Sequence, residues 1–222
     1  KDDNNENIKN KLDDVLKDLN DVQKQTDKIE EKLLDKKELN WEDKKQLENL
    51  LQKNQSIQEQ VKDLQQEFNK NVEMQKEYLQ TDPEILEKQE KLQEMFEEVL
   101  PDEMQKLMEE IQQLMEQLNR EQGMEEMKKM EMNNEQLENE LDRMLELFKQ
   151  LELEQKMQET VDKLNELAED QQKLAEETDQ KQSNSQELQE KQEELNKQFD
   201  DIQQDMKDMQ EMNEQLEQKK DL

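Results

Sequence analysis

Residues 8–33 read IKNKLDDVLKDLNDVQKQTDKIEEKL, and the spacing within this stretch decides the fold class. Side chains suited to a seam recur at alternating steps of four and three residues: Ile8, Leu12, Val15, Leu19, Val22, Thr26, Ile29 and Leu33. This alternation is typical of a helix that packs lengthwise against another helix. Low hydrophobicity with high charge is otherwise typical of disorder, but a disordered segment has no reason to keep such spacing. The stretch therefore predicts coiled coil.

Glycine and proline are nearly absent from the chain. Its 222 residues include one Gly and two Pro, while 29% are hydrophobic, 3% are aromatic and 43% are charged. Tight turns and hairpins between strands need Gly or Pro, and so little apolar surface cannot form a globular core of this length. We therefore predict an all-α protein, with elongated antiparallel coiled-coil hairpins flanking a small central helical bundle.

The N-terminal segment, residues 1–80, is interpreted as one coiled-coil arm. A second seam follows the first: Leu47, Leu50, Asn54, Ile57, Val61, Leu64, Phe68, Asn71, Gln75 and Tyr78. Asn54 at a seam position is expected to select register at a cost in stability. A hairpin turn is expected near residues 36–40, where Asn40 caps the next helix and Asp43 reaches back in a capping box. One uninterrupted helix is the alternative, because the heptad count crosses this stretch in phase.

Helix boundaries are marked more strongly further along the chain. Thr81-Asp82-Pro83-Glu84 places a cap residue before a proline at the first helical position. A helix is expected from there to about Leu100, where Pro101 stops it. The next is expected to begin near Asp102 and to end before Gly123, a residue suited to a helix C-terminus. Asn133-Asn134 is then expected to cap another long helix.

The central segment, residues 81–153, carries apolar stripes wider than a two-position seam. One of them consists of Leu137, Leu141, Met144, Leu145, Leu147, Phe148, Leu151 and Leu153. A wide stripe faces more than one neighbour, which predicts a small Met- and Leu-rich bundle. Met124, Met127, Met130 and Met132 are interpreted as core side chains, or alternatively as an adaptable surface for docking a protein partner.

The narrow seam returns in the C-terminal segment, residues 154–222, which is interpreted as a second coiled-coil arm. Its first seam consists of Met157, Thr160, Leu164, Leu167, Gln171 and Leu174. A turn is expected near residues 181–186, with Asn184 as the cap of the following helix and Glu187 in its first turn. The last seam consists of Leu188, Gln192, Leu195, Phe199, Ile202, Met206, Met209, Asn213 and Leu216. A helix from Gln186 to Lys220 would be about 50 Å long.

The sequence offers no catalytic or ligand-binding constellation. It contains no His and no Cys, the residues most used as general bases, nucleophiles and transition-metal ligands. A single Gly cannot form a phosphate-binding loop, and no calcium-binding loop motif is present. Clustered carboxylates such as Glu97-Glu98 are therefore interpreted as solvated helix faces. We expect no enzymatic activity, no cofactor and no metal site.

Charge and hydropathy restrict the partners. The net charge is −31, which should repel nucleic acid and anionic lipid, and no stretch is apolar enough to cross a bilayer. A protein partner, or self-association through the coiled coil, is expected. Trp41 lies off the seam, where it either covers a hairpin end, the interpretation we prefer, or anchors an interface. The chain lacks an initiator Met and is interpreted as an internal piece of a longer protein.

Two stretches carry a resemblance to a known family. Lys88–Asn119 (KQEKLQEMFEEVLPDEMQKLMEEIQQLMEQLN) and Asn134–Thr178 resemble the long Glu/Gln/Lys-rich helical region of large, membrane-anchored, uncharacterised envelope proteins of Bacteroidota. The most specific parts are Leu-Pro-Asp-Glu at 100–103 and Leu-Phe-Lys-Gln-Leu at 147–151. In that family the helical region follows transmembrane helices and lies outside the inner membrane. The resemblance implies a periplasmic or envelope location and a structural role, and it implies no reaction.

The function expected from these observations is that of a non-enzymatic scaffold or spacer in a larger envelope protein, acting through coiled-coil contacts between proteins. The first alternative is a regulatory or chaperone-like module in which the Met-rich segment binds a protein client. The second is a plain homodimeric coiled coil in the cytoplasm. Intrachain hairpins and interchain dimers use the same kind of seam, so the sequence leaves the oligomeric state open.

Overall fold

The computed structural model describes residues 2–34, 40–78, 83–99, 120–179 and 184–220. These residues form five helices and no strand: α1 Asp2–Leu34, α2 Trp41–Tyr78, α3 Pro83–Val99, α4 Arg120–Asp179 and α5 Ser185–Glu214. The prediction of an all-α protein is confirmed.

Three helix starts lie where the sequence predicts them. The Asp43 amide donates to Asn40 Oδ1 at 2.9 Å, and the Asn40 amide donates to Asp43 Oδ2 at 3.0 Å. This reciprocal pair is the predicted capping box. Asn184 Oδ1 accepts from the Glu187 amide at 2.8 Å at the start of α5, and Pro83 is the first residue of α3. The local rules for helix capping therefore hold at these three helix starts.

Two predictions about α4 are wrong. Gly123 does not end a helix, because α4 begins at Arg120 and continues through it. A Gly inside a helix costs only about 1 kcal/mol, which strong helix formers on both sides offset. Asn134 caps nothing, since it lies inside α4 and is buried. The predicted stop at Pro101 and start near Asp102 lie outside the described residues.

The predicted extent of α5 is also wrong, because the helix ends at Glu214 and not at Lys220. The chain turns there, and Asn213 holds the turn from inside the last helical turn. The Asn213 Nδ2 donates to the Lys220 carbonyl at 2.7 Å, and the Lys220 amide donates to Asn213 Oδ1 at 2.7 Å. Of the turns predicted near residues 36–40 and 181–186, residues 36–39 and 181–183 lie outside the described part of the chain.

The helices pack into two compact units, residues 1–148 and 149–222. In the first unit, α1 and α2 run antiparallel, since Lys11 bonds Glu67 and Lys32 bonds Gln46. The α2 helix and the first half of α4 run parallel, because the contacts of Asn54 with Asn134 and of Phe68 with Phe148 both join residues 80 positions apart. The α3 helix joins α2 through Gln93 Nε2, which donates to Asn69 Oδ1 at 3.0 Å.

The core of the first unit follows the predicted seams. The seam side chains of α1 from Ile8 to Ile29 are at most 6% exposed. The Thr26 hydroxyl donates to the Val22 carbonyl at 3.0 Å, so this polar seam residue is satisfied within its own helix. Three helices meet at an aromatic cluster, where the Phe68 ring lies 5.6 Å from Phe96 and 6.1 Å, edge to face, from Phe148. Aromatic contacts of this kind stabilise a core beyond the contribution of the apolar area that they bury.

Two pairs of asparagines lie inside this core. The Asn54 Nδ2 donates to Asn134 Oδ1 at 3.2 Å, and the Asn71 Nδ2 donates to Asn5 Oδ1 at 2.6 Å. All four residues are buried. A buried amide finds its hydrogen-bond partner only when the two residues lie at the same height along the paired helices. These pairs therefore favour the native register of α2 against α4 and of α1 against α2. This agrees with the role that the sequence assigned to Asn54.

The second unit consists of the C-terminal part of α4 and α5, which run antiparallel. Lys163 bonds Asp205 at 2.6 Å, and Lys191 bonds Glu177 at 2.6 Å. At one end of this hairpin, the apolar residues Leu153, Met209 and Leu216 form a buried cluster, with Met157 and Met212 against it. The turn held by Asn213 therefore covers the end of the hairpin that lies farthest from the α4–α5 connection.

Candidate interaction surfaces

The methionines singled out from the sequence fall into two groups. Met127 and Met130 are buried, at 1% and 3% exposed, whereas Met132 is 62% exposed. Met124 is half-buried. The core interpretation therefore suits Met127 and Met130, and only Met132 projects fully into solvent. The four thioethers do not form one continuous surface.

Trp41 is the first residue of α2 and is 75% exposed. The Lys45 ammonium lies 5.3 Å from the centre of its ring, within the range of a cation–π contact. Little of the indole therefore packs against the described part of the chain, and both interpretations of Trp41, hairpin-end cover and interface anchor, stay predictions.

A further group of exposed apolar side chains lies on the second unit. Val161 and Leu164 on α4 are 50% and 37% exposed, and Phe199 and Met206 on α5 are 46% and 48% exposed. The sequence placed Leu164, Phe199 and Met206 in seams but could not tell which half of each seam a partner helix would cover. Nothing in the spacing distinguishes the two halves.

Ion pairs also cross between the two helices of the second unit. The Lys156 ammonium lies 3.2 Å from an oxygen of Asp208 and 3.9 Å from one of Asp205. Hydrogen bonds from Gln204 and then from Lys156 lower the pKa of Asp208 below its ordinary value. The hydrogen bond to Glu177 similarly raises the pKa of Lys191. Exposed pairs of this kind contribute little each, so their main effect is on register.

Like charges meet where α4 passes α1. Partial burial, followed by the charges of Glu30 and Asp27, raises the pKa of Glu131. Glu135, one turn along α4, acts in the same direction. Three carboxylates around a half-buried fourth suggest a cation site, but within the described residues no group of three or more acidic side chains is arranged to hold a metal ion.

Sequence reasoning missed two residues that organise the packing. Asn134 was assigned to a cap, although it stands three residues before Leu137 and four after Met130, which is a seam spacing. That spacing could have identified it. Asn213 was assigned to the seam, and no local signal shows that its side chain would hold the backbone of Lys220.

No protein-family model, curated protein or solved structure matches this chain. Among the described helices, none combines the length and the apolar character needed to cross a membrane.

Proposed function

We propose that this chain is a non-enzymatic structural scaffold or spacer within a larger cell-envelope protein, and that it acts through coiled-coil contacts between helices. The observation that supports the proposal best is the seam of α1, which is buried over its length while the other faces of the helix carry charged residues. Helices paired in this way resist bending and hold a fixed distance. At 1.5 Å per residue, α1 and α2 are about 50 and 57 Å long.

The proposed arrangement combines an antiparallel coiled-coil arm at 154–222 with a bundle in which the hairpin of residues 1–80 packs on the Met- and Leu-rich segment at 81–153, since Asn54 bonds Asn134 and Phe68 contacts Phe148. The acidic outer faces would keep the scaffold from non-specific association, because chains of net charge −31 repel one another. The resemblance to Bacteroidota envelope proteins supports a periplasmic location, with any membrane anchor outside this segment. Protease protection of the full-length protein in intact cells and in spheroplasts tests that location.

Small-angle X-ray scattering of the 222-residue chain tests the proposed shape. A compact globule of this length has a radius of gyration of about 17 Å. A scaffold with extended arms should give a clearly larger value and a pair-distance distribution with a long tail. The measurement belongs at the lowest usable concentration, where self-association is weakest. A radius near that of the globule would refute the proposal.

The alternative of a Met-rich client-binding module has less support, because Met127 and Met130 are occupied in the core of the first unit. Exposing them to a client would require opening the core of the first unit. We therefore retain the scaffold as the proposed function.

A further inference from the structure

Seam residues are buried to different extents in the two units. In the first unit every described seam residue of α1 is buried. In the second unit, seam residues of α5 from Leu195 to Met209 alternate between buried and exposed. On α5, Ile202 and Met209 are 3% and 8% exposed. Phe199, which precedes Ile202, and Met206, which lies between the two, are 46% and 48% exposed. Two helices that pair through both seam positions bury both, so this hairpin packs through one seam position of α5 and leaves the other open.

The open positions of α4 and α5 lie side by side on one face. Gln171 and Gln192 stand one heptad from Leu164 and Phe199 respectively, and so occupy the same open positions. Their amides exchange two hydrogen bonds, at 3.1 and 3.0 Å. Because residues seven apart point the same way along a helix, Leu164 and Phe199 must also adjoin across the hairpin. Val161, Leu164, Phe199 and Met206 therefore form one surface, here called the C-terminal apolar face.

The borders of this face lack charge on the α4 side. Met157, Leu164 and Gln171 share one seam position of α4. The residues one and four positions after them are Gln158, Val161, Asn165, Ala168, Gln172 and Ala175. Every charged residue between 158 and 175 lies at another helical position. In a chain that is 43% charged, this arrangement separates a neutral face from a charged one.

The α5 side shows the same separation, with charge only at its outer edge. The residues four positions after Gln192, Phe199 and Met206 are Asn196, Gln203 and Gln210, and all three are exposed. Glu193, Asp200 and Lys207 follow at the edge. A neutral, partly apolar centre with a charged rim is the anatomy of a protein–protein interface, since charged residues are depleted at the centre of such surfaces.

We propose that the C-terminal apolar face is where a second copy of this chain binds, so that two hairpins form an antiparallel four-helix bundle. The neutrality of the face identifies the occupant. A basic partner helix would find no carboxylate opposite it there, whereas two chains of net charge −31 can approach each other only where neither presents charge. A two-fold arrangement sets the face against itself, as in most homodimers. The inference rests on the proposed function, because both assume that the chain acts through contacts between helices.

The size of the face sets the strength expected of the dimer. The neutral face extends along residues 158–175 of α4, which is 18 residues or about 27 Å of helix. Two helices side by side are about 20 Å wide, so the projected area of the contact is on the order of 500 Å². Stable interfaces bury about 800 Å² per partner, so this one is at the small end. The dimer should therefore dissociate in the micromolar range and not in the nanomolar range.

Sedimentation equilibrium of the full 222-residue chain tests the inference over roughly three decades of concentration around the micromolar range. The average mass should rise from one chain to two. The double variant F199E/M206E, which puts carboxylates in the centre of the face, should weaken dimerisation at least tenfold, and V161E on the other helix should weaken it in the same direction. The control is M74E/M132E, which changes two equally exposed methionines of the first unit and should dimerise as the unmodified chain does.

The inference fails if the unmodified chain stays monomeric over the whole range, or if F199E/M206E associates like the control. Circular dichroism of each variant checks that helicity and unfolding are retained, as expected for side chains that are exposed in the monomer. Scattering of F199E/M206E separates this failure from that of the scaffold. An extended monomer with no dimer would overturn the inference alone, and a compact monomer would overturn the proposed function.

Discussion

Replacing both Asn54 and Asn134 by Leu should stabilise the first unit, even though the two residues bond each other. Their contact uses the Asn54 Nδ2 and the Asn134 Oδ1. The remaining atoms, Asn54 Oδ1 and Asn134 Nδ2, are buried without a hydrogen-bond partner. An unmatched buried polar atom costs about 1–3 kcal/mol, while a matched bond contributes about 0.5–1.5 kcal/mol. Exchanging the pair for two leucines should raise the free energy of unfolding by about 2–4 kcal/mol.

The single variants should behave differently from the pair. N54L leaves the whole amide of Asn134 buried without a partner, and N134L does the same to Asn54, so each should be no more stable than the unmodified chain. The double variant should therefore exceed the sum of the singles by about 2 kcal/mol. Residues in contact through a buried polar pair are those for which additivity fails.

Urea denaturation followed by far-ultraviolet circular dichroism measures these differences. N49L/N139L is the matched control, because Asn49 and Asn139 lie on the same two helices and are exposed. Its stability should change by no more than about 0.5 kcal/mol. A double variant of Asn54 and Asn134 that is no more stable than either single variant would show that these amides are not a cost to the core, and the reasoning would be refuted.

Three further changes test other parts of the structure. Phe148→Ala should lower the free energy of unfolding by about 3–5 kcal/mol, since the ring is buried at a junction of three helices; a loss below about 1 kcal/mol in urea would contradict this packing. Asn213→Ala should free the turn at Lys220, seen as faster amide exchange from residue 215 onward with α5 otherwise protected; unchanged exchange would contradict the two bonds. Glu131→Gln should raise the free energy of unfolding by about 0.5 kcal/mol at neutral pH, because it removes a charge that partial burial and then Glu30, Asp27 and Glu135 disfavour.

The Glu131 prediction has a definite dependence on pH. Because the folded state raises the pKa of this carboxyl above 4.5, its charged form costs stability at neutral pH, and the cost disappears as the pH falls through the raised value. The advantage of Glu131→Gln should therefore shrink on acidification. Glu138→Gln, one heptad further along the same helix and also half-buried, is the control. An advantage that grew towards low pH would have the wrong sign for this account.

The elements of the fold were predictable from the sequence because their causes are local. The alternating steps from Ile8 to Ile29 required a helix with one buried side, and that side is buried. The starts at Asn40, Pro83 and Asn184 follow from side-chain oxygens and a fixed proline φ, which act within one helical turn. Gly123 shows the limit of such rules, since a residue that favours a helix end does not enforce one.

What the seams pack against was decided only by tertiary structure. A seam requires a cover, but many helices could supply it, so neither the pairing of Asn54 with Asn134, 80 positions away, nor the open half of the α5 seam could be inferred from spacing. By itself the sequence determined that this protein is helical, where several of its helices begin, and that its outer faces are acidic. The tertiary structure decided which helix covers which seam and left Phe199 and Met206 uncovered. The reason is that helix formation depends on neighbours within four residues, whereas burial depends on which surface, distant in sequence, has a complementary shape.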